Sequence, residues 1–142
     1  MLAADNLFLP GRLRGISLAL RAGEVTAICG PNGAGKSSLL SCLAGLLWPV
    51  SGAVTLDQAP LHSLHPEARA RALGYLPQTP EVAWDISVQT LASLGRLPWR
   101  TSAAEDSAAV DAALAALDLP AFAHRPVSQL SGGERARALL AR

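Results

Sequence analysis

Apolar residues alternate with small or polar ones through much of the first half of the chain, and this alternation is typical of β-strands. It predicts strands at residues 2–9, 16–20, 24–29, 53–56 and 73–76. The first is predicted to lie at a sheet edge and to end at Pro10-Gly11. The run at 24–29 is predicted to be buried.

The second half has helical spacing instead. Helices are predicted at residues 38–47, 67–72, 87–95, 102–117 and 132–142. Ser87 is a predicted N-cap, and Val110, Leu114 and Leu117 are spaced to form one buried helix face. Strands followed by helices predict a sheet-based core that carries a helical subdomain.

Residues 30–37, Gly-Pro-Asn-Gly-Ala-Gly-Lys-Ser, match the phosphate-binding pattern G-x-x-x-x-G-K-[ST]. They lie between a predicted strand and a predicted helix, which favours a P-loop over a glycine-rich turn before an ordinary helix. Backbone N–H groups of such a loop point at phosphate oxygens. Lys36, the only lysine of the chain, can reach the β- and γ-phosphates, and the Ser37 hydroxyl can bind Mg²⁺.

Composition narrows the function classes. The 142 residues suit one domain, with 50% hydrophobic and 16% charged residues. The net charge of +1 gives no reason to expect nucleic acid as a partner. Cys29 and Cys42 are predicted to be buried free thiols in a reducing compartment. No secretory signal and no run of eighteen apolar residues is visible, so we expect a cytosolic chain.

A second motif is Leu130-Ser131-Gly132-Gly133-Glu134. Ser131 and Glu134 have the spacing of a capping box at a helix start. Gly132 and Gly133 would expose backbone N–H groups that suit an anion. Taken alone, the motif is equally consistent with a well-capped helix.

The P-loop, Leu-Pro-Gln at residues 76–78 and Leu-Ser-Gly-Gly-Glu, in that order, resemble the ATP-binding subunit of ABC transporters. The resemblance implies an α/β fold, a P-loop NTPase core with a β-rich N-terminal lobe and a parallel sheet, an inserted α-helical subdomain, and an incomplete C-terminus. Residues 1–142 would form a partial ABC ATPase domain, divided into a nucleotide-binding core (1–78), a helical subdomain (79–130) and a signature helix (131–142).

The resemblance also implies site residues. Those that would bind ATP are Gly30, Pro31, Asn32, Gly33, Ala34, Gly35, Lys36, Ser37, Ser38, Ser131, Gly132 and Gly133. Ser131 to Gly133 would contact the γ-phosphate of the nucleotide held by a partner subunit. Gln78 would touch Mg²⁺ and the attacking water and sense the membrane subunit, so that Lys36 and Gln78 are the candidate catalytic residues and Ser37 and Gln78 the candidate metal ligands.

The implied function is ATP hydrolysis that powers import through a membrane transporter. The implied partners are a second copy or a paired ABC ATPase subunit, an integral membrane permease and, indirectly, a periplasmic binding protein, with no nucleic acid. The implied location is cytoplasmic, at the inner face of the cell membrane. Residues 80–87 and 94–99 are similar to the subgroup that imports iron-siderophores, haem or cobalamin, and there Trp84 and Trp99 either contact the permease or pack within the subdomain.

Two departures from the family pattern matter. Phe8 is the only aromatic residue before Trp48, so it is the sole candidate to stack on adenine, with core packing as the alternative. The family's apolar strand ending in Asp-Glu and its switch histidine are not found, since His62, His65 and His124 come too early and are predicted to be loop or solvent residues.

We therefore predict that the chain is part of a longer protein and that these 142 residues alone bind ATP without hydrolysing it. For the whole protein, the first alternative to an ATP-hydrolysing transport subunit is a nucleotide-binding module that does not hydrolyse ATP. A DNA-associated ABC ATPase is the second, although nothing between the motifs sustains the heptads of a long coiled coil.

Overall fold

A computed structural model describes residues 1–78, 82 and 84–142. The chain divides into two compact units, Met1–Gly74 and Tyr75–Arg142, and each is described here by itself. This division is coarser than the predicted one into a core, a helical subdomain and a signature helix, which stays a prediction.

The first unit is built on a four-stranded antiparallel sheet. Its strands are β1 (Leu2–Leu9), β2 (Leu13–Leu20), β3 (Ser51–Leu56) and the short β4 (Ala59–Pro60), in the order β2-β1-β3-β4. The predicted edge position of β1 is wrong, because β1 pairs with β2 on one side and with β3 on the other. Alternation along a strand records which face is buried but not how many neighbours the strand has.

β1 and β2 form a hairpin closed by the Leu9–Leu13 pair. Its turn comprises residues 10–12, with Gly11 at φ 69° and a hydrogen bond of 3.0 Å from the Arg12 N–H to the Leu9 carbonyl oxygen. Pro10 at the end of β1 agrees with the predicted stop. A glycine at positive φ is the expected residue in a three-residue hairpin turn.

Helix α1 (Lys36–Leu43) packs on this sheet, and α2 (Pro66–Ala72) follows later in the unit. The core is apolar: Ala4, Leu7, Leu13, Leu39, Cys42, Leu43, Val54 and Leu61. α1 is shorter than the predicted 38–47 because Gly45 adopts φ 68° and the Leu46 N–H donates back to the Ser41 carbonyl at 2.9 Å, which ends the helix.

Residues 24–29 were predicted to be a buried strand, and that prediction is wrong for the described residues, as is the strand at 73–76. Val25 is fully exposed and Cys29 is exposed, whereas Cys42 is buried as predicted and its burial raises the pKa of the thiol. The apolar composition at 24–29 is typical of a parallel strand covered on both faces, and such a strand forms only where neighbours pair with it. Among the described residues all strand pairs are antiparallel and none involves 24–29, so the predicted parallel sheet is not formed there.

The second unit is helical, with α3 (Val88–Ser93), α4 (Ala103–Ala116) and α5 (Gly132–Leu140) joined by short 3₁₀ turns. The predicted apolar face of α4 is confirmed: Val110 and Leu114 are buried and Leu117 packs against them. The remaining core residues are Val88, Leu91, Ala92, Leu119, Val127, Ala138 and Leu139. Ser87 caps α3 as predicted, since its Oγ accepts from the Thr90 N–H at 3.1 Å.

A polar cluster ties the segment after α3 to the first turn of α4. Arg96 Nε donates to Asp106 Oδ1 at 2.8 Å, and Thr101 Oγ1 donates to the same oxygen at 2.6 Å. The Arg96 guanidinium also lies over the Trp99 ring, 4.8 Å from its centroid. The hydrogen bonds from Thr101 and Arg96 lower the pKa of Asp106 below its ordinary value.

This cluster predicts a pH dependence. A carboxyl whose pKa is lower in the folded state stabilises that state above the unfolded pKa, and its contribution is lost as the pH falls through the folded pKa. Asp106→Asn should therefore lower the Tm slightly at pH 7, and the difference from the parent should shrink as the pH falls below about 4, the ordinary pKa of an unfolded aspartate. Thermal unfolding followed by circular dichroism, at pH 7 and at a pH below about 4, measures the Tm difference between Asp106→Asn and the parent. Asp111→Asn, an exposed position on the same helix, is the control, and a Tm difference for Asp106→Asn that persists at low pH would contradict the assignment.

Candidate functional site

The loop at residues 30–35 curls around the ammonium group of Lys36. Lys36 Nζ donates to the carbonyl oxygens of Gly30 and Pro31, each at 2.7 Å. These bonds use two of the three ammonium donors and leave one for another acceptor. The positive charge of the only lysine is thus held beside the first two residues of the loop, Gly30 and Pro31.

Helix α1 begins directly after this loop and supplies further donors. The Leu39 N–H donates to the Gly35 carbonyl at 2.8 Å, so the N–H groups of Lys36, Ser37 and Ser38 precede the helical ladder. Gly35 has no side chain with which to cap them, and the first turn contains no acidic residue. The helix start therefore presents uncapped N–H groups and the positive end of its dipole, which suits a phosphate.

Gly35 is required by two features of its surroundings. It has φ 87°, a left-handed conformation that side chains disfavour. A Cβ at this position would also lie 2.2 Å from the Arg12 carbonyl oxygen and 3.1 Å from Leu13 Cδ2. The β1–β2 turn therefore packs against the loop so closely that only glycine fits.

The predicted P-loop residues Gly30 to Ser38 all lie in the first unit. Gln78 belongs to the second unit, where it is exposed in a bend. Ser131 to Gly133 also belong to the second unit, at the start of α5. The predicted contacts of Gln78 and of Ser131 to Gly133 with a nucleotide stay predictions.

The start of α5 has the predicted capping box. The Ser131 N–H donates to Glu134 Oε2 at 2.8 Å, and the Glu134 N–H donates to Ser131 Oγ at 3.4 Å. Hydrogen bonds from the Ser131 backbone and side chain lower the pKa of Glu134. Gly132 and Gly133 are exposed, with nothing within 4 Å of where a Cβ would be, so their backbone is accessible.

We expect Ser131→Ala to destabilise the second unit by about 1 kcal/mol, because the Glu134 N–H loses its acceptor. Urea denaturation followed by circular dichroism measures the change. Ser128→Ala is a matched control, since Ser128 is exposed shortly before α5 and lies outside its cap. If both variants lost the same stability, the cap would not be the cause.

The candidate aromatic residues lie in three different surroundings. Phe8 is 41% exposed and points away from the core, because its neighbours Leu7 and Leu9 on β1 face the core. Trp84 is 76% exposed, which does not agree with packing inside the subdomain. Trp99 is 41% exposed and carries the Arg96 guanidinium on its ring. The prediction for residues 80–87 lies partly outside the described residues.

The three histidines are exposed as predicted: His62 in a 3₁₀ turn, His65 at the N-cap of α2 and His124 after a 3₁₀ turn. Sequence reasoning missed Arg12, whose backbone contacts Gly35. The Pro10-Gly11 turn signal could have predicted a hairpin, but not its contact with the phosphate loop.

None of the helices among the described residues has both the length and the apolar composition that a membrane-spanning segment needs.

Comparison with known proteins agrees with the two motifs. The sequence matches the ABC transporter family over residues 13–142. It is 47% identical to the hemin import ATP-binding protein HmuV of Pseudomonas entomophila (strain L48), over 92% of this chain and 51% of that protein. It is 39% identical to the cobalamin import ATP-binding protein BtuD of Halobacterium salinarum (strain ATCC 29341 / DSM 671 / R1), over 89% of this chain and 32% of that protein.

The fold agrees with solved structures as well. The structure of cbiO1 from Clostridium perfringens, part of the ABC transporter complex cbiONQ, superposes with a TM-score of 0.83 at 29% identity, over 99% of this chain and 59% of that one. The chain spans about half the length of the hemin-import relative. The resemblance and the predicted P-loop NTPase fold are confirmed, except for the parallel sheet, which is not formed among the described residues. Because the family match extends over residues 13–142, the chain belongs to the ABC transporter family.

Proposed function

We propose that this chain carries the nucleotide-binding part of an ATPase that powers substrate import through an ABC transporter. The observation that carries the proposal is the loop at 30–35, curled around the Lys36 ammonium and followed by uncapped N–H groups at the start of α1. This combination suits the charge and oxygen geometry of a polyphosphate.

Within this site the residues have distinct roles. The backbone of residues 30–38 binds the phosphates, and Lys36 directs its remaining donor at the β- and γ-phosphates. Ser37 is exposed in the first turn of α1, so its hydroxyl is accessible to a Mg²⁺ that the nucleotide also holds. Mg²⁺ fits this donor set because it binds through few protein oxygens together with substrate phosphates, and when bound it neutralises phosphate charge.

The start of α5 completes the site of a second subunit. The capping box orients Ser131, and the accessible N–H groups of Gly132 and Gly133 would contact the γ-phosphate of a nucleotide bound to the P-loop of a partner. Two such subunits would close head-to-tail on two ATP molecules. Gln78, exposed in its bend, would contact the Mg²⁺ and the attacking water and respond to the permease.

The remaining proposals concern partners and cargo. The exposure of Trp84 and Trp99 supports a contact between these side chains and an integral membrane permease. We propose that the protein acts in the cytoplasm, at the inner face of the membrane that holds this permease. A periplasmic binding protein would act indirectly by delivering cargo. Haem is the favoured cargo because the sequence identity to the hemin-import relative is higher than to the cobalamin-import one. Cobalamin and iron-siderophores are the alternative cargoes.

Transport in a reconstituted system tests this proposal. The full reading frame that contains this chain is expressed with a cognate integral membrane permease, inserted into liposomes and supplied with the cognate periplasmic binding protein. ATP-dependent uptake of haem is expected, and cobalamin and a ferric siderophore are measured in parallel. The Lys36→Met protein is the matched control and should not transport. ATP turnover without uptake of any of the three would contradict the import proposal.

The alternative of a non-hydrolysing module has a separate test. We expect the 142-residue chain to bind ATP but to release no phosphate, and the full reading frame to release phosphate steadily. Phosphate release from the chain, lost in the Lys36→Met variant, would show that these residues suffice for hydrolysis. Absence of turnover in the full reading frame as well would favour the alternative.

A further inference from the structure

The β1–β2 turn lies beside the phosphate loop. The nearest atoms to a Cβ built on Gly35 are the carbonyl oxygen of Arg12 at 2.2 Å, Leu13 Cδ2 at 3.1 Å and the carbonyl carbon of Arg12 at 3.2 Å. Gly35 immediately precedes the uncapped start of α1. Arg12 is therefore the turn residue whose backbone is packed against the end of the loop where phosphates would bind.

The Arg12 side chain is available for a ligand. Arg12 is exposed, and among the described residues no hydrogen bond, ion pair or ring contact of its guanidinium is found. The residues of the loop and the first turn of α1 include no carboxylate that would neutralise it. A long, flexible cationic side chain that begins beside Gly35 has the reach and the charge to contact an anion bound at the loop.

The loop itself supplies little side-chain charge for a polyphosphate. Lys36 is its single cation, and two of the three Lys36 ammonium donors are bonded to the loop carbonyls of Gly30 and Pro31. A nucleoside triphosphate carries several negative charges, so a second cation at the loop would lower the cost of bringing that charge to the protein.

We propose that Arg12 is a second cationic contact for the polyphosphate of a nucleotide bound at residues 30–38. The inference rests on the proposed nucleotide-binding function and adds to it a residue on the β1–β2 turn. Its contact is with the phosphate chain, so its effect should grow with the number of phosphates on the ligand.

Binding measurements with the chain test this assignment. We compare the affinities of ATP and AMP for Arg12→Met and for Arg21→Met, by titration calorimetry at about 0.1 M salt. Arg21 is an exposed cation that follows the eight-residue β2, at the opposite end from Arg12. A strand of that length spans roughly 25 Å, well beyond the Debye length of about 10 Å, so loss of the Arg21 charge should change little.

Arg12→Met should weaken ATP binding roughly three- to fivefold and AMP binding less, while Arg12→Lys should restore most of the ATP affinity. Equal ATP affinity in Arg12→Met and Arg21→Met would overturn the proposal. Equal weakening of ATP and AMP by Arg12→Met would also overturn it, since the contact would then be with a group that both nucleotides share (the base, the ribose or the α-phosphate) and not with the β- and γ-phosphates.

Lys36→Met separates this inference from the proposed function. If Lys36→Met weakens ATP binding and Arg12→Met does not, only the inference fails. If Lys36→Met binds ATP as well as the parent does, nucleotide binding at the loop itself is wrong. The Tm of Arg12→Met, whose side chain is exposed, should equal that of the parent.

Discussion

Gly35→Ala is expected to lower the free energy of unfolding of the first unit by about 2–5 kcal/mol. The left-handed backbone at φ 87° costs a non-glycine residue about 1–2 kcal/mol, and forcing a methyl group into packed surroundings typically costs 1–3 kcal/mol more. The methyl group would lie 2.2 Å from the Arg12 carbonyl, which is backbone and can move only if the hairpin moves. Urea denaturation followed by circular dichroism measures the loss.

Gly33→Ala is the matched control for this prediction. Gly33 has nearly the same backbone conformation, φ 83°, but nothing lies within 4 Å of its Cβ position. It should lose only the conformational part, about 1–2 kcal/mol. Equal losses in the two variants would mean that the β1–β2 turn does not constrain the phosphate loop.

Lys36→Met is expected to weaken ATP binding about 10- to 100-fold, which corresponds to the roughly 1.5–3 kcal/mol of a hydrogen bond to a charged group. Methionine keeps a similar apolar stem and helix propensity, so the change removes mainly the ammonium. The loop would also lose the two bonds that tie Gly30 and Pro31 to the side chain. Titration calorimetry with ATP measures the affinity.

Arg21→Met controls for the loss of one positive charge and should bind ATP as the parent does. The free energy of unfolding of Lys36→Met should be lower than that of the parent by about 1 kcal/mol or less, because the lost hydrogen bonds are exposed to solvent. Retention of full ATP affinity by Lys36→Met would remove the basis for assigning the loop to phosphate.

Local sequence signals predicted the local structure well. The capping box of Ser131 and Glu134 and the cap of α3 at Ser87 depend on residues three positions apart, and both are confirmed. The glycines of the loop likewise predicted a turn that leads into a helix. Such features depend on hydrogen bonds between residues close together in the sequence, so the identities of those few residues are enough to predict them.

Features that depend on distant partners were not predictable in this way. Residues 24–29 have the composition of a central strand. A strand forms only where another strand pairs with it, and the residues of one segment do not determine which partner is available. The position of β1 between β2 and β3 and the contact of Arg12 with Gly35 have the same origin. Each depends on where separate parts of the chain meet.

The capping box at the start of α5 has a thermodynamic consequence for any anion that binds there. Ser131 and Glu134 satisfy each other's N–H groups, so the donors left over at this helix end are those of Gly132 and Gly133. A ligand that takes these donors displaces no bond of the helix. Its binding energy therefore adds to the stability of α5 instead of competing with it, and any anion bound to the N–H groups of Gly132 and Gly133 would stabilise the folded helix.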